Sequence, residues 1–191
     1  LVARAKSYGM PALAITDHGV MYGAISFYEA CKEAGIKPII GCEVYVCSDR
    51  FSRSGRHGDS ANHLILLAKN NEGYKNLCKL VSLGFLEGFY YKPRIDHELL
   101  RRYSDGLICM SACIAGELPE LLRAGDYEGA VELVKEYKDI FGENYYIELQ
   151  NHGIPEELEV NPLLIKLARE MDVRPVATND LHYVDASDSA I

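Results

Sequence analysis

Leu13-Ala14-Ile15-Thr16-Asp17-His18 is an apolar run of strand length that breaks straight into a carboxylate and an imidazole. The same pattern returns near the far end of the chain, where Pro175-Val176-Ala177-Thr178 leads through Asn179 into Asp180 and His182. Between them Glu43 stands inside Ile39 to Val46, His63 heads the run His63 to Ala68, and Cys113 lies just past Gly106 to Ser111. With Tyr145 to Gln150, and with Pro38 opening the second run, these make six strand-length segments. Each adjoins helical periodicity, and that alternation implies a parallel α/β sheet. A doubly wound sheet gathers its ligands at one switch point, whereas a closed ring brings the ends of successive strands to one face. Candidate ligands here attach to at least five strands, so the distribution favours a barrel.

The helices are marked by apolar stripes and by their ends. Val20, Ala24, Phe27, Cys31 and Ala34 share a face that Gly35 terminates, and Tyr74, Leu77, Cys78 and Val81 repeat the spacing. Asp126 is placed to cap a helix carrying Tyr127, Ala130, Val131, Val134, Tyr137 and Phe141, with Gly142 as its stop. Asn161 before Pro162 is expected to open another, with Leu164, Leu167, Ala168 and Met171 on its buried side. These stripes are core and carry no functional weight.

At 191 residues the chain suits one domain over 1–191, large enough to bury roughly 70% of its unfolded surface without disulfides or a structural metal. Asp and Glu outnumber Lys and Arg by 28 to 20, a net charge of −8. That balance excludes broad non-specific nucleic-acid binding, which relies on a basic surface, although cations held among carboxylates reverse the sign locally. The six cysteines include no Cys-x-x-Cys pair, and Cys31, Cys42, Cys78 and Cys109 occupy apolar periodic positions. Buried thiols in a reducing cytoplasm are the expectation. No apolar run approaches the roughly 20 residues of a membrane span, so no membrane partner is expected. Leu1 already reads as the interior of an amphipathic helix, as it would in a fragment.

Imidazole, carboxylate and thiolate donors together suit zinc, with manganese or iron as alternatives where oxygen dominates. His18, Glu43, His63, Cys113, Asp180 and His182 form that collection. A carboxylate such as Glu43 can bridge two ions, and a water held between them loses a proton near neutral pH, so no serine or cysteine nucleophile is required. Asp17 is placed either to orient His18 or to cap its turn. His152 follows a strand and is expected at the same mouth, whereas His57 and His97 read as surface residues. Arg50, Arg53 and Arg56, with Lys92 and Arg94, are the candidates for gripping a phosphate backbone, and Tyr90 and Tyr91 for stacking on bases.

The motifs Ile15-Thr16-Asp17-His18-Gly19, Gly41-Cys42-Glu43-Val44-Tyr45, His63-Leu64, Ser111-Ala112-Cys113 and Thr178-Asn179-Asp180-Leu181-His182 resemble the polymerase and histidinol phosphatase (PHP) domain family. Gly9-Met10-Pro11-Ala12-Leu13, Gly35-Ile36-Lys37-Pro38-Ile39-Ile40-Gly41 and Gly88-Phe89-Tyr90-Tyr91-Lys92-Pro93-Arg94 resemble, more narrowly, the branch found in alpha subunits of bacterial DNA polymerase III. The resemblance implies a distorted seven-stranded β/α barrel of TIM-like form, its first strand missing from this chain together with that strand's His-x-His ligands. It also implies two or three ions in the complete domain, usually zinc or manganese, and phosphoester hydrolysis with a 3′ to 5′ exonuclease or proofreading role. By position, His18, Asp180 and His182 would serve one metal, Glu43 would bridge, and His63 and Cys113 would complete a second. Glu43, Asp180 and His182 are then the candidate catalytic residues, and Lys92, Arg94 and His152 the candidate substrate contacts. The implied partners are DNA, other replicase subunits and a separate proofreading subunit. A stand-alone phosphatase for a small phosphate ester and a non-catalytic scaffold for the polymerase are the competing readings.

Overall fold

A computed structural model describes residues 1–53 and 61–190. Arg56 and His57 lie outside the described residues. The order of elements is α1 (Val2–Ser7), β1 (Ala12–Ile15), α2 (Ala24–Ala34), β2 (Lys37–Val46), β3 (Asn62–Ala68), α3 (Asn71–Leu86), β4 (Arg94–Ile95), α4 (His97–Tyr103), β5 (Leu107–Met110), α5 (Glu117–Arg123), α6 (Tyr127–Phe141), β6 (Tyr145–Leu149), α7 (Pro155–Glu170) and β7 (Arg174–Ala177). All six expected strands are present. Arg94–Ile95 adds a short seventh, paired with Tyr45 and Val46 of β2.

The strands form one mixed sheet in the order β1-β2-β3-β5-β6-β7, with β4 also against β2. It is an open half-barrel, closed by no strand between β1 and β7 among the described residues. The expectation of an all-parallel sheet fails at one strand: β3 runs antiparallel to both β2 and β5. No helix separates β2 from β3 among the described residues, and an antiparallel neighbour needs no crossover. The reversal matters for the site. It puts the start of β3, and with it His63, at the same end as the exits of β1, β5 and β7.

β2 is long enough to serve two partners on one side. Lys37–Ile40 pair in parallel with β1 and Tyr45–Val46 with β4, and the bridge from His18 to Glu43 lies between. Alternation along the strands separates two apolar layers. Leu64, Leu66, Cys109 and Ile147 face the helices, where they meet Leu77, Leu80, Leu99, Leu100 and Leu167, while Ile65, Met110 and Ala112 face the barrel interior with Tyr146 and Val176. Each fully buried leucine or isoleucine contributes about 1.5–3 kcal/mol, so the helix-facing layer is the larger source of stability.

Helix ends follow the sequence with two exceptions, the first being α2, which begins at Ala24 and leaves Val20 outside it. Gly35 closes α2 at φ 74, and Asp126 caps α6 by accepting from the Gly129 N–H at 2.8 Å. The second exception is α7, which opens at Pro155 and carries Pro162 in its interior instead of beginning there. Asn161 is no cap: its amide donates to the Gln150 carbonyl at 2.8 Å. Early in α3, Gly73 lets the helix touch the β5 entry, since a Cβ there would lie 1.8 Å from the Gly106 carbonyl oxygen. Cys31, Cys42, Cys47 and Cys109 are buried free thiols. No helix among the described residues is long and apolar enough to cross a membrane.

Candidate metal centre

Glu43 is the midpoint of the site. It sits in the last half of β2, paired to β3 on one side and bridged to His18 on the other, so its backbone is fixed from both flanks. The Asp17 carbonyl accepts its N–H at 3.0 Å, and its own carbonyl accepts the Gly19 N–H at 2.8 Å. Its side chain is almost wholly buried, yet the carboxylate meets two imidazoles: Oε1 lies 2.6 Å from His18 Nδ1 and 3.1 Å from His63 Nδ1. Burial alone would raise its pKa, but the hydrogen bonds and charge of His63, and then of His18, outweigh it and hold the carboxyl below its usual value.

Cys113 approaches the same ring nitrogen of His63, its Sγ 3.5 Å from Nδ1. Cys113 and Glu43 together hold the His63 imidazole up at about 9. The ligand atoms of Glu43, His63 and Cys113 all lie within 4.8 Å of one another, a group able to hold a metal ion. Donors bonded at about 2.0–2.3 Å to one tetrahedral ion stand about 3.3–3.8 Å apart, so the crowding of oxygen, nitrogen and sulfur here fits ligation of one ion. Neighbouring Cys42 belongs to the core instead, with burial pushing its thiol up to about 12.

From Glu43 the cluster continues as an arc. The rings of His18 and His182 are 5.4 Å apart between centroids, and His182 Nδ1 is 4.0 Å from Asp180 Oδ1. His18 and His182 are largely exposed and Asp180 is partly so, which leaves that half of the arc open to solvent. It rims a cavity of about 490 Å³ lined by Ile15, His18, Met110, Glu148, Asp180 and His182. Asp17 does not orient His18, whose Nδ1 is bonded to Glu43. It contributes a carbonyl that also accepts from the Cys42 thiol at 3.3 Å.

The expected phosphate grips are corrected by burial. Arg94 is 1% exposed, and its guanidinium donates to the carbonyls of Gly88 at 3.1 Å and Ser52 at 2.6 Å. Arg50 is also buried, on Asp96, Glu87 and Glu98, and Arg53 donates to the carbonyls of Arg50 and Glu87. These arginines fasten the β2 exit to β4 and α4. Lys92 is different: it is exposed and stands over the Tyr45 ring at 4.3 Å, and that ring meets His63 edge-on at 5.3 Å. Tyr91 is 85% exposed and packs edge-on against Tyr90 at 4.6 Å.

His152, expected at the mouth, does not line the cavity and has both nitrogens engaged: Nδ1 is 2.6 Å from Glu157 Oε1 and Nε2 is 2.8 Å from the Asn179 carbonyl. It braces the segment before Asp180. His97 is no surface residue either, since it lies between Glu117 and Glu136. Sequence reasoning missed Glu148 and Glu157, both buried beside the site. The signal for Glu148 was parity, because a charge next to inward Tyr146 and out of step with core Ile147 had to face the barrel interior.

The sequence model of the PHP domain family matches residues 1–152. The chain is 52% identical over 192 residues to the DNA polymerase III subunit alpha of Treponema pallidum (strain Nichols), a match covering 99% of this chain and 16% of that protein. It is 49% identical over 191 residues to the subunit of the same name from Borreliella burgdorferi, covering 99% and 17%. The chain thus spans less than a fifth of these curated relatives. Among solved structures, an amidohydrolase from Chromobacterium violaceum, with bound sulfate and no metal, shares the fold at a TM-score of 0.57 and 13% identity, covering 95% of this chain and 80% of that one.

Proposed function

Because the chain belongs to the PHP domain family, we propose that it is the metal-dependent phosphoesterase module of a replicative DNA polymerase III alpha subunit, acting on a 3′ end as an exonuclease. The observation that carries this reading is the Glu43 carboxylate seated between His18 and His63, with Cys113 completing the inner group. Three readings of the residues follow. Glu43, His63 and Cys113 hold one ion; His18, Asp180 and His182 hold another; and Glu43 stands where it can serve both. Zinc suits the inner group with its thiolate, and manganese or iron suits the outer one if oxygen dominates there.

The chemistry supplied by bound ions is Lewis-acid polarisation of a phosphoryl oxygen. The chain's own contribution is positional. The β-strand register fixes Glu43 against both histidines, and Lys92 above Tyr45 offers a cation to the phosphate backbone beside the site. DNA and the other replicase subunits are the partners this reading requires.

The test uses the full-length protein, stripped of metal and then resupplied with zinc or manganese, on a primer labelled at its 3′ end. Chelator-sensitive shortening that falls by at least about 100-fold in Glu43→Ala is expected, since loss of a shared ligand removes both ion sites. Shortening unchanged by that substitution would refute the reading. Absence of any shortening, with polymerisation lost in the same variant, would favour the scaffold.

A further inference from the structure

Glu148 is on the interior face of β6 and 4% exposed, and it lines the cavity whose rim carries His18, Asp180 and His182. Its two oxygens are used unequally. Oε1 accepts from the Gln150 amide at 3.1 Å and from the Thr178 hydroxyl, whereas Oε2 is buried without a well-formed hydrogen bond, the Ala112 backbone N–H being the other donor that acts on this carboxylate. A buried oxygen left short of a good hydrogen bond costs up to about 1–3 kcal/mol, and a link between a hydroxyl and an amide does not require a carboxyl. A group held at that cost is explained by what it does for its neighbours.

Those neighbours lead straight into the outer half of the metal centre. Thr178 is held by Glu148, and the next residue, Asn179, is held through its carbonyl by His152, itself fixed on buried Glu157. Asp180 then adopts φ 44, in the left-handed region that Asp tolerates better than most side-chain-bearing residues, so the chain turns sharply there. Two consecutive pins therefore precede the turn residue that carries a candidate ligand, with His182 two positions beyond.

We propose that Glu148 is a positioning residue for the Asp180 and His182 half of the metal centre, acting through Thr178 on the turn that aims those two side chains. The proposal rests on the metal-centre reading above. It predicts a selective effect. Loss of Glu148 weakens the ion at the outer half by about 10- to 100-fold, the usual consequence of removing a residue that orients ligands, and leaves the Glu43, His63 and Cys113 ion in place.

Cobalt(II) titration of the metal-free full-length protein separates the two halves. The thiolate-to-cobalt absorption band reports the ion on Cys113 and serves as an internal reference, while a second class of sites reports the outer half. Glu148→Ala and Thr178→Val should keep the band and weaken the second class at least about 10-fold. Glu148→Gln, which keeps an oxygen toward Thr178, should restore most of it. If both Glu148→Ala and Thr178→Val titrate like the wild type, the proposal is overturned. Should Glu148→Ala also lose the band, the fold has been damaged and Thr178→Val decides alone. A wild type with no thiolate band would overturn the metal-centre reading itself and this proposal with it.

Discussion

His97 gives the sharpest link between geometry and stability. Its Nδ1 lies 2.8 Å from Glu136 Oε1 and its Nε2 3.1 Å from Glu117 Oε2, so both nitrogens need a proton to donate. Burial opposes the charged ring, yet Glu117 and then Glu136 hold it up from 6.5 to about 9. The folded value exceeds the unfolded one, so the stabilisation is complete below about pH 6.5 and is lost as pH rises through about 9. At about 1.4 kcal/mol per tenfold change in protonation, the gap corresponds to about 3 kcal/mol at most. Urea unfolding of wild type and His97→Gln at about pH 6 and about pH 10 isolates this contribution, because His63 and His152 titrate alike in both proteins. The wild type should be the more stable by about 2–3 kcal/mol at the lower pH, with the difference shrinking towards zero at the higher. A difference independent of pH would refute the doubly bonded imidazolium.

Three further outcomes follow from packing and backbone geometry. Asp96→Ala removes the cap on the Leu99 N–H and both carboxylate oxygens from buried Arg50, and should cost about 3–5 kcal/mol in denaturant unfolding, against about 1 for the exposed cap Asp126→Ala; equal costs would mean that Arg50 is satisfied by Glu87 and Glu98 alone. Gly73→Ala forces a methyl onto the Gly106 carbonyl and should lower stability by about 1–3 kcal/mol, whereas an unchanged melting temperature would show that α3 can move away. Pro162→Ala restores an N–H inside α7 and should raise stability by up to about 3 kcal/mol; a lower melting temperature would show that the proline ring contributes packing that outweighs the missing bond.

The six long strands were legible because apolar runs of the right length were bounded by turns and charged residues. β4 was not, since two residues carry no period and Arg94–Ile95 is a strand only by its register with β2. Strand direction is likewise a tertiary property. The reversal of β3 was foreshadowed only by the lack of a helical stripe between Val46 and Asn62. The ligand positions read well because strand exits converge, and His63 joins them because β3 is reversed. Charge was the poorest guide. Arg50 and Arg94 have the sequence signature of a phosphate grip, but carboxylates and carbonyls brought from β4, α3 and α4 turn them into buried fasteners. His97 misled for the same reason, its partners lying 20 and 39 residues away on α5 and α6. Pro162 shows local preference yielding to context: α7 buries Val160, Leu164 and Leu167 on one continuous face, and the helix runs through the proline.

Whether Glu43 is the ligand shared across the proposed metal centre is measured most directly by the metal content of the purified full-length protein and its Glu43→Ala variant by mass spectrometry, with folding checked by circular dichroism. Bound ions are expected in the wild type and their loss from a variant that remains folded. A folded variant with undiminished metal, or a wild type that binds none after incubation with zinc and manganese, would contradict that role for Glu43.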